Sequence, residues 1–278
     1  MPIDLSAVGR ESGPHAVRWN SRDALIYALG VGAGSEDPAQ ELAFTTENST
    51  GIAQQTLPTF ALVIHSGAGP IPIGDFDRSK SVHGEQSLRL NGPLKPDGSG
   101  FTTSRIEAIY DKGSGALVSR TTTLTDQDGC VLATYRTGQF IRGEGGFGGD
   151  SGPKLEWTAP DRPADRIVEQ RTRIDQALLY RLSGDRNPLH SDPAFAARAG
   201  FAQPILHGLC TFGFVARAVL ALTGHDPAKF KSISARFSKH VIPGDRLRTE
   251  LWIDGGSLFF RTYVGDRMVL DAGEALIA

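Results

Sequence analysis

The segment Pro204-Ile205-Leu206-His207-Gly208-Leu209-Cys210-Thr211-Phe212-Gly213-Phe214-Val215-Ala216-Arg217-Ala218-Val219-Leu220-Ala221-Leu222-Thr223-Gly224 decides how this chain folds. Leu209, Phe212, Val215, Ala216, Val219 and Leu220 recur at helical spacing, proline opens the segment and glycine ends it. A helix apolar around most of its circumference has to be buried. Downstream, Arg246 to Ile253 alternates, Asp254-Gly255-Gly256 turns, Ser257 to Val264 returns, and Met268 to Ile277 follows. Turn dipeptides between alternating runs signal antiparallel hairpins. One long apolar helix with a curved antiparallel sheet predicts an α+β layer in which the sheet wraps the helix.

The first half of the chain carries a weak echo of the second, in the same order. Asp23 to Gly30 matches Asp175 to Gly184 as a short helical stretch, acidic at its start and closed by glycine. Pro58 then opens an apolar segment, Phe60 to Ile64, as Pro204 does later. Strands are expected over Phe101 to Tyr110, Ala116 to Leu124 and Cys130 to Ile141, with turns at Lys112 to Gly115 and Asp128-Gly129. Both halves therefore read as helices first, then an antiparallel meander, and two such units can pair their sheets as a dimer would. Between them, Gly143 to Gly152 followed by Pro153, Pro160 and Pro163 reads as a connection. The expected division is 1–142, a linker at 143–165, and 166–278.

The whole composition agrees with a folded enzyme-sized chain. Its 278 residues suit two domains of about 140 each. Hydrophobic residues make up 40% and charged residues 22%, which excludes wholesale disorder. A net charge of −2 gives no reason to expect nucleic acid or an anionic membrane as a partner. Apolar runs such as Ala61 to Ile64 fall far short of the roughly 20 residues of a membrane span. Two cysteines, Cys130 and Cys210, supply neither a disulfide framework nor a Cys-rich zinc site, and no His/Asp/Glu spacing resembles a metal site. The first twenty residues lack an apolar block and the last four, Ala275 to Ala278, are no Ser-Lys-Leu address, so cytoplasm is the expected location.

The densest chemical signal is Tyr180-Arg181-Leu182-Ser183-Gly184-Asp185-Arg186-Asn187-Pro188-Leu189-His190-Ser191-Asp192-Pro193. Pro188 forbids a continuous helix, while Gly184 and Asn187-Pro188 favour a tight loop that folds Asp185 and His190 toward each other. A carboxylate near an imidazole suits acid–base work near neutral pH. Asp192-Pro193 starts a new short helix that ends at Gly200. Gly208, near the start of the buried helix, can offer a free N–H at the positive end of the helix dipole to a carbonyl oxygen gaining charge. Together these suit chemistry alpha or beta to a carbonyl. No serine or cysteine nucleophile is set against the pair, and Cys210 reads as a small core residue.

The run from Tyr180 to His190, with Phe195-Ala196 and Pro204-Ile205-Leu206-His207-Gly208-Leu209-Cys210 after it, resembles the MaoC-like, or hydratase 2, family. The first half resembles the amino-terminal unit of the family's (3R)-hydroxyacyl-CoA hydro-lyases, which include the hydratase part of peroxisomal multifunctional enzyme type 2. The matching stretches are Tyr27 to Ala33, Leu57 to Phe60, Val82 to Gln86, Asp111 to Gly115 and Gly145 to Gly149. The resemblance implies a double hotdog fold and reversible hydration of trans-2-enoyl-CoA without a cofactor. It implies a homodimer, with acyl-CoA as the one small-molecule partner.

It also implies roles: Asp185 and His190 as the pair that activates water, Asn187 assisting, and Gly208 as oxyanion donor. His83, Gly84, Lys112 and Phe237 would contact the acyl-CoA. On the residues alone, His83-Gly84 is as readily a strand-entry turn, Lys112 a solvated lysine, and Phe237 a core aromatic. His207 and His65 read as structural histidines. The first half has Gly30 to Gly34 and Ser35 to Pro38 where the Asp/His motif would stand, so it should carry no second pair, and the resemblance implies that the lost helix volume leaves space for a bulky acyl tail. Rival readings are a dehydratase of carrier-linked, branched or steroid-side-chain thioesters, and a non-catalytic acyl-CoA-binding subunit.

Overall fold

A computed structural model describes residues 3–65, 71–154 and 156–278. The amino-terminal half runs β1 (Glu11–Trp19), α1 (Ser21–Gly30), α2 (Leu42–Thr45), β2 (Ser81–Leu90), β3 (Gly98–Asp111), β4 (Gly115–Thr125) and β5 (Val131–Arg142). The carboxy-terminal half runs β6 (Arg166–Arg171), α3 (Gln176–Tyr180), α4 (Pro193–Arg198), α5 (Gly208–Ala221), β7 (Phe230–Phe237), β8 (Arg246–Asp254), β9 (Ser257–Val264) and β10 (Arg267–Ile277). All ten strands form one sheet in the order β1-β3-β4-β5-β2-β7-β10-β9-β8-β6. Read outward from the β2–β7 seam, the two halves have the same topology, which is the double hotdog.

Helix α5 is the filling of the carboxy-terminal half. Phe212, Phe214, Val215, Val219 and Leu220 on it are fully buried. It begins at Gly208, three residues after Ile205, because Ile205 to His207 are extended and their backbone is used elsewhere. The Ile205 carbonyl bonds the His190 ring and the Leu206 N–H donates to Val241. Gly213 is there for close approach: a Cβ on it would lie 2.4 Å from Val31 Cγ1. In the first half the corresponding apolar segment is only a 3₁₀ turn, Pro58–Val63. The inner face of that half is covered instead by residues near the amino terminus and by 71–76, which pack Ile3, Ala7 and Ile71 on Ile106, Ile109, Val118 and Ile141.

The expected order, helices first, is corrected: each half opens on an edge strand, β1 or β6, and a further strand, β2 or β7, precedes each meander. Pro14 in β1 is tolerated because that strand is at the edge. The two short helices α1 and α3 pack together through Tyr27 and Tyr180, whose rings are 6.2 Å apart. Helix α1 starts with a capping box in which Asn20 and Asp23 exchange hydrogen bonds.

One ion pair fastens the helix-poor half to α5. Arg217 donates from Nε to Glu41 Oε1 at 2.9 Å and makes a second bond to Glu41 Oε2, while its Nη1 holds the Val31 carbonyl at 3.0 Å. Both side chains are nearly buried, at 12% and 9% exposure. Burial alone would raise the Glu41 pKa, but the Arg217 hydrogen bonds and charge overcome it and hold the carboxyl below its ordinary value. Removing one partner strands a buried charge, so Arg217→Leu should cost about 3–5 kcal/mol in denaturant unfolding. Because the folded pKa is depressed, the pair's contribution is complete above the unfolded value of about 4.3 and fades as pH falls through the folded value. A stability–pH curve for Glu41→Gln that keeps the native acid slope contradicts this.

Candidate active site

The loop between α3 and α4 is built by its own sequence. Gly184 has φ +123°, and a Cβ there would lie 2.4 Å from His65 Nε2, so no side chain fits. Asp185 Oδ1 accepts from the Asn187 N–H at 3.1 Å, and Asn187 Oδ1 accepts from the Leu189 N–H at 3.0 Å. These Asx turns lead into a single 3₁₀ turn, Pro188–His190, with proline at its first position. Asp192 then caps α4 through the Ala194 and Phe195 amides. The loop thereby turns back on itself and carries Asp185 and His190 to one place.

His190 is buried and its Nδ1 lies 2.8 Å from the Ile205 carbonyl. A carbonyl only accepts, so Nδ1 carries the proton. Burial lowers the His190 pKa below its ordinary value, which keeps the ring neutral and leaves Nε2 with its lone pair. That is the tautomer a general base needs. His207 stacks on it, ring centroids 3.7 Å apart, and Tyr180 packs on the far side at 4.9 Å. His207 Nε2 donates to the Asp185 backbone carbonyl at 3.1 Å, and burial pushes its pKa down to about 3. It ties the backbone of the Asp185 loop to the root of α5, a structural contact. Nothing in its one-letter context shows that contact, although its position directly before the glycine of a buried helix was visible.

Ligand-capable atoms of Asp185, His190 and His207 all lie within 4.8 Å of one another. Three such groups raise the question of a metal. The stacked imidazoles answer it: rings inclined by only 26° aim their in-plane lone pairs side by side, so they do not converge on one ion. Separations of up to 4.8 Å admit a water molecule between Asp185 and His190, since two groups bridged by one water stand roughly 5 Å apart.

Gly208 is the first residue of α5, whose cap residue His207 makes no side-chain cap bond. Among the described residues no acceptor takes the Gly208 N–H. A Cβ on Gly208 would lie 3.1 Å from Phe237 Cε1 and 3.6 Å from His83 Cβ, so the helix start, β7 and β2 meet there. His83 packs on Phe237 at 4.9 Å and shares a 3.0 Å hydrogen bond with Gln86. Burial pushes its pKa down to about 4. Gly84 sits in the β-bulge after His83, inside β2, where a Cβ would stand 3.2 Å from the Gly138 carbonyl.

The structure thus gathers Asp185, Asn187, His190, Gly208, His83, Gly84 and Phe237 around the seam. Lys112 stands apart, at the exposed tip of the β3–β4 hairpin, where its Nζ donates to the Ser151 carbonyl. Next to it, Asp111 accepts the amides of Gly113, Gly146 and Gly148, each at 2.8 Å, and so orders the glycine-rich run.

A double hotdog with an Asp/His loop and an unengaged helix-start N–H at the seam has the features of the acyl-thioester hydro-lyases. Comparison with known proteins agrees. Residues 156–273 match the MaoC like domain, and residues 18–143 match the MFE-2 hydratase 2 N-terminal domain. The chain is 45% identical to the 3-hydroxyacyl-thioester dehydratase Y of Mycobacterium tuberculosis, over 98% of both chains. It is 42% identical to the enoyl-CoA hydratase ChsH3 of the same organism, over 93% of this chain and 92% of that one. The crystal structure of a MaoC-like dehydratase from Phytophthora capsici superposes with a TM-score of 0.87 at 33% identity, covering 99% and 98%. The chain belongs to the MaoC-like, hydratase 2 family.

The histidine chemistry is directly measurable. Imidazole nitrogen NMR should find His190 as the Nδ1–H tautomer with a titration midpoint below 6.5, and His207 and His83 still neutral at pH 5 (about 1 or more above their values). A His190 midpoint at or above 6.5 contradicts the assignment.

Proposed function

We propose that the protein reversibly hydrates trans-2-enoyl-CoA to (3R)-3-hydroxyacyl-CoA. The observation that carries this is a neutral, Nδ1-protonated His190 with Asp185 brought within 4.8 Å of it, beside an N–H at the start of α5. Asp185 and His190 Nε2 hold one water. Its oxygen bonds to C3 of the enoyl group while His190 Nε2 takes one of its protons. Charge moves onto the thioester oxygen, where the Gly208 N–H stabilises it. The proton on His190 then passes to C2, the enolate collapses, and the net change is one water added. Dehydration of a 3-hydroxyacyl thioester is the same path reversed. Asn187 assists by fixing the loop that presents Asp185.

No step calls for a metal or an organic cofactor. His83, Gly84 and Phe237 flank the thioester, and Lys112 meets the phosphate-bearing end of CoA as a point charge. The lobe 166–278 carries the chemistry, and the lobe 1–142 takes the acyl chain across the 143–165 linker. Support for that division comes from the 3₁₀ turn standing where a long helix would fill the space, and from a cavity of about 170 Å³ on the inner face of the first lobe. Among the described residues no helix is long and apolar enough to cross a membrane. A homodimer is the accompanying reading, supported by family resemblance.

The test follows loss of enoyl-thioester absorbance with crotonyl-CoA and resolves the product's chirality. Asp185→Asn and His190→Ala should each lower kcat by about 10²–10⁴-fold, with unfolding midpoints close to the parent's. Turnover near the parent's in either variant, or a (3S) product, removes the proposed roles.

A further inference from the structure

The cavity on the inner face of the first lobe has apolar walls in Ile106, Val118 and Phe76, yet Arg120, Thr137 and Gln139 also line it. Thr137 and Gln139 already donate to neighbouring side chains. Thr137 Oγ1 donates to Gln86 Oε1 at 3.0 Å, and Gln139 Nε2 donates to Ser81 Oγ. Arg120 is different. It is half-buried, and among the described residues it makes no side-chain hydrogen bond and no ion pair. Among the described residues no carboxylate lines the cavity, while a second cation, Arg78, stands exposed at its edge. Of the other half-buried arginines, Arg217 is held by Glu41, Arg248 by Glu250 and Arg261 by Asp271, while Arg181, beside the Asp185 loop, also has an unpartnered Nε but does not line this cavity.

The cavity adjoins the reaction centre. Arg120 is opposite Thr137 in the sheet, and Thr137 is opposite Gln86. Gln86 in turn bonds His83, which packs on Phe237 beside Gly208. Two strand spacings place Arg120 roughly 10 Å from the β2 strand, on the side away from the catalytic loop. A guanidinium presents planar donors that fit a carboxylate in two bonds, and in an apolar cavity it loses hydration when a hydrocarbon chain displaces its water.

We infer that Arg120 is a specificity-determining residue that pairs with a carboxylate on the remote part of the acyl chain. The preferred substrates are therefore enoyl-CoA thioesters whose acyl group ends in an acid. This rests on the hydration reading above and names its substrate class. The phosphates of CoA are a second source of the same charge. Arg120 is not placed for them, since it lies beneath residues 71–76 and behind His83, away from the exposed hairpin tip that carries Lys112.

The experiment compares kcat/KM for three substrates: crotonyl-CoA, a longer enoyl-CoA ending in a methyl group, and one of equal length ending in a carboxylate. The parent protein should favour the carboxylate-ended substrate over its methyl-ended counterpart. In Arg120→Leu that ratio should fall by about 10- to 100-fold, and Arg120→Lys should recover part of it. No preference in the parent, or an unchanged ratio in Arg120→Leu, overturns the inference. A loss that falls equally on crotonyl-CoA and the acid-ended substrate assigns the arginine to the CoA moiety, and also overturns it. If Arg120→Leu does not fold, Arg120→Gln and the parent's own preference decide the matter. Absence of hydration with all three substrates in the parent would instead reject the underlying reaction.

Discussion

The antiparallel pairing of β2 with β7 is the constraint on which the site depends. It joins Glu85 to Arg236 and Gln86 to Ala235 in register and turns two five-stranded halves into one sheet. By doing so it sets His83, from the half without a catalytic loop, against Phe237 and the first residue of α5. A single half would leave that helix start facing solvent. Fusion lets the halves diverge: one keeps the long helix and the Asp/His loop, and the other gives up helix volume for a cavity. The Arg217–Glu41 pair, between residues 176 positions apart, fastens the altered half to the helix that the other retains.

Burial is what makes the histidines useful. In water a histidine titrates near 6.5 and exchanges tautomers freely. Here Ile205 fixes the proton on His190 Nδ1, and removal from water keeps the ring uncharged. His207, stacked against it and still less able to take a proton, supports it without competing for it. The adjacent N–H is supplied by backbone geometry. Any residue but proline at position 208 would have that N–H, and glycine keeps it clear of a Cβ that would crowd Phe237 at 3.1 Å.

Much of this was legible in the sequence. The apolar period of α5, the hairpins β3 to β5 and β8 to β10, and the loop from Gly184 to Asp192 are all written in local residue order. The two edge strands were not, because β1 contains a proline and β6 exposes most of its side chains. Strands β2 and β7 escaped for another reason. They lie at the centre of the sheet, but polar His83 and Gln86 stand on the site side of β2, and β7 alternates over only a few residues, Ile233 and Ala235 against Ser232 and Ser234. Gly208 was legible as lying near the start of α5, but not that Ile205 and Leu206 stay outside the helix, their backbone claimed by contacts from His190 and Val241. Local pattern cannot register partners that far away. The same holds for His207, whose partner is a main-chain carbonyl 22 residues earlier, and for Arg120, whose lack of a partner is a property of the assembled cavity.

The account stands or falls on a water held between a carboxylate and an unprotonated imidazole nitrogen. A high-resolution crystal structure of the protein without substrate tests it most directly. The account predicts one well-ordered water within hydrogen-bond distance of both an Asp185 carboxylate oxygen and His190 Nε2. A direct Asp185–His190 bond that leaves no room for water, or His190 flipped so that Nδ1 no longer meets Ile205, would contradict it.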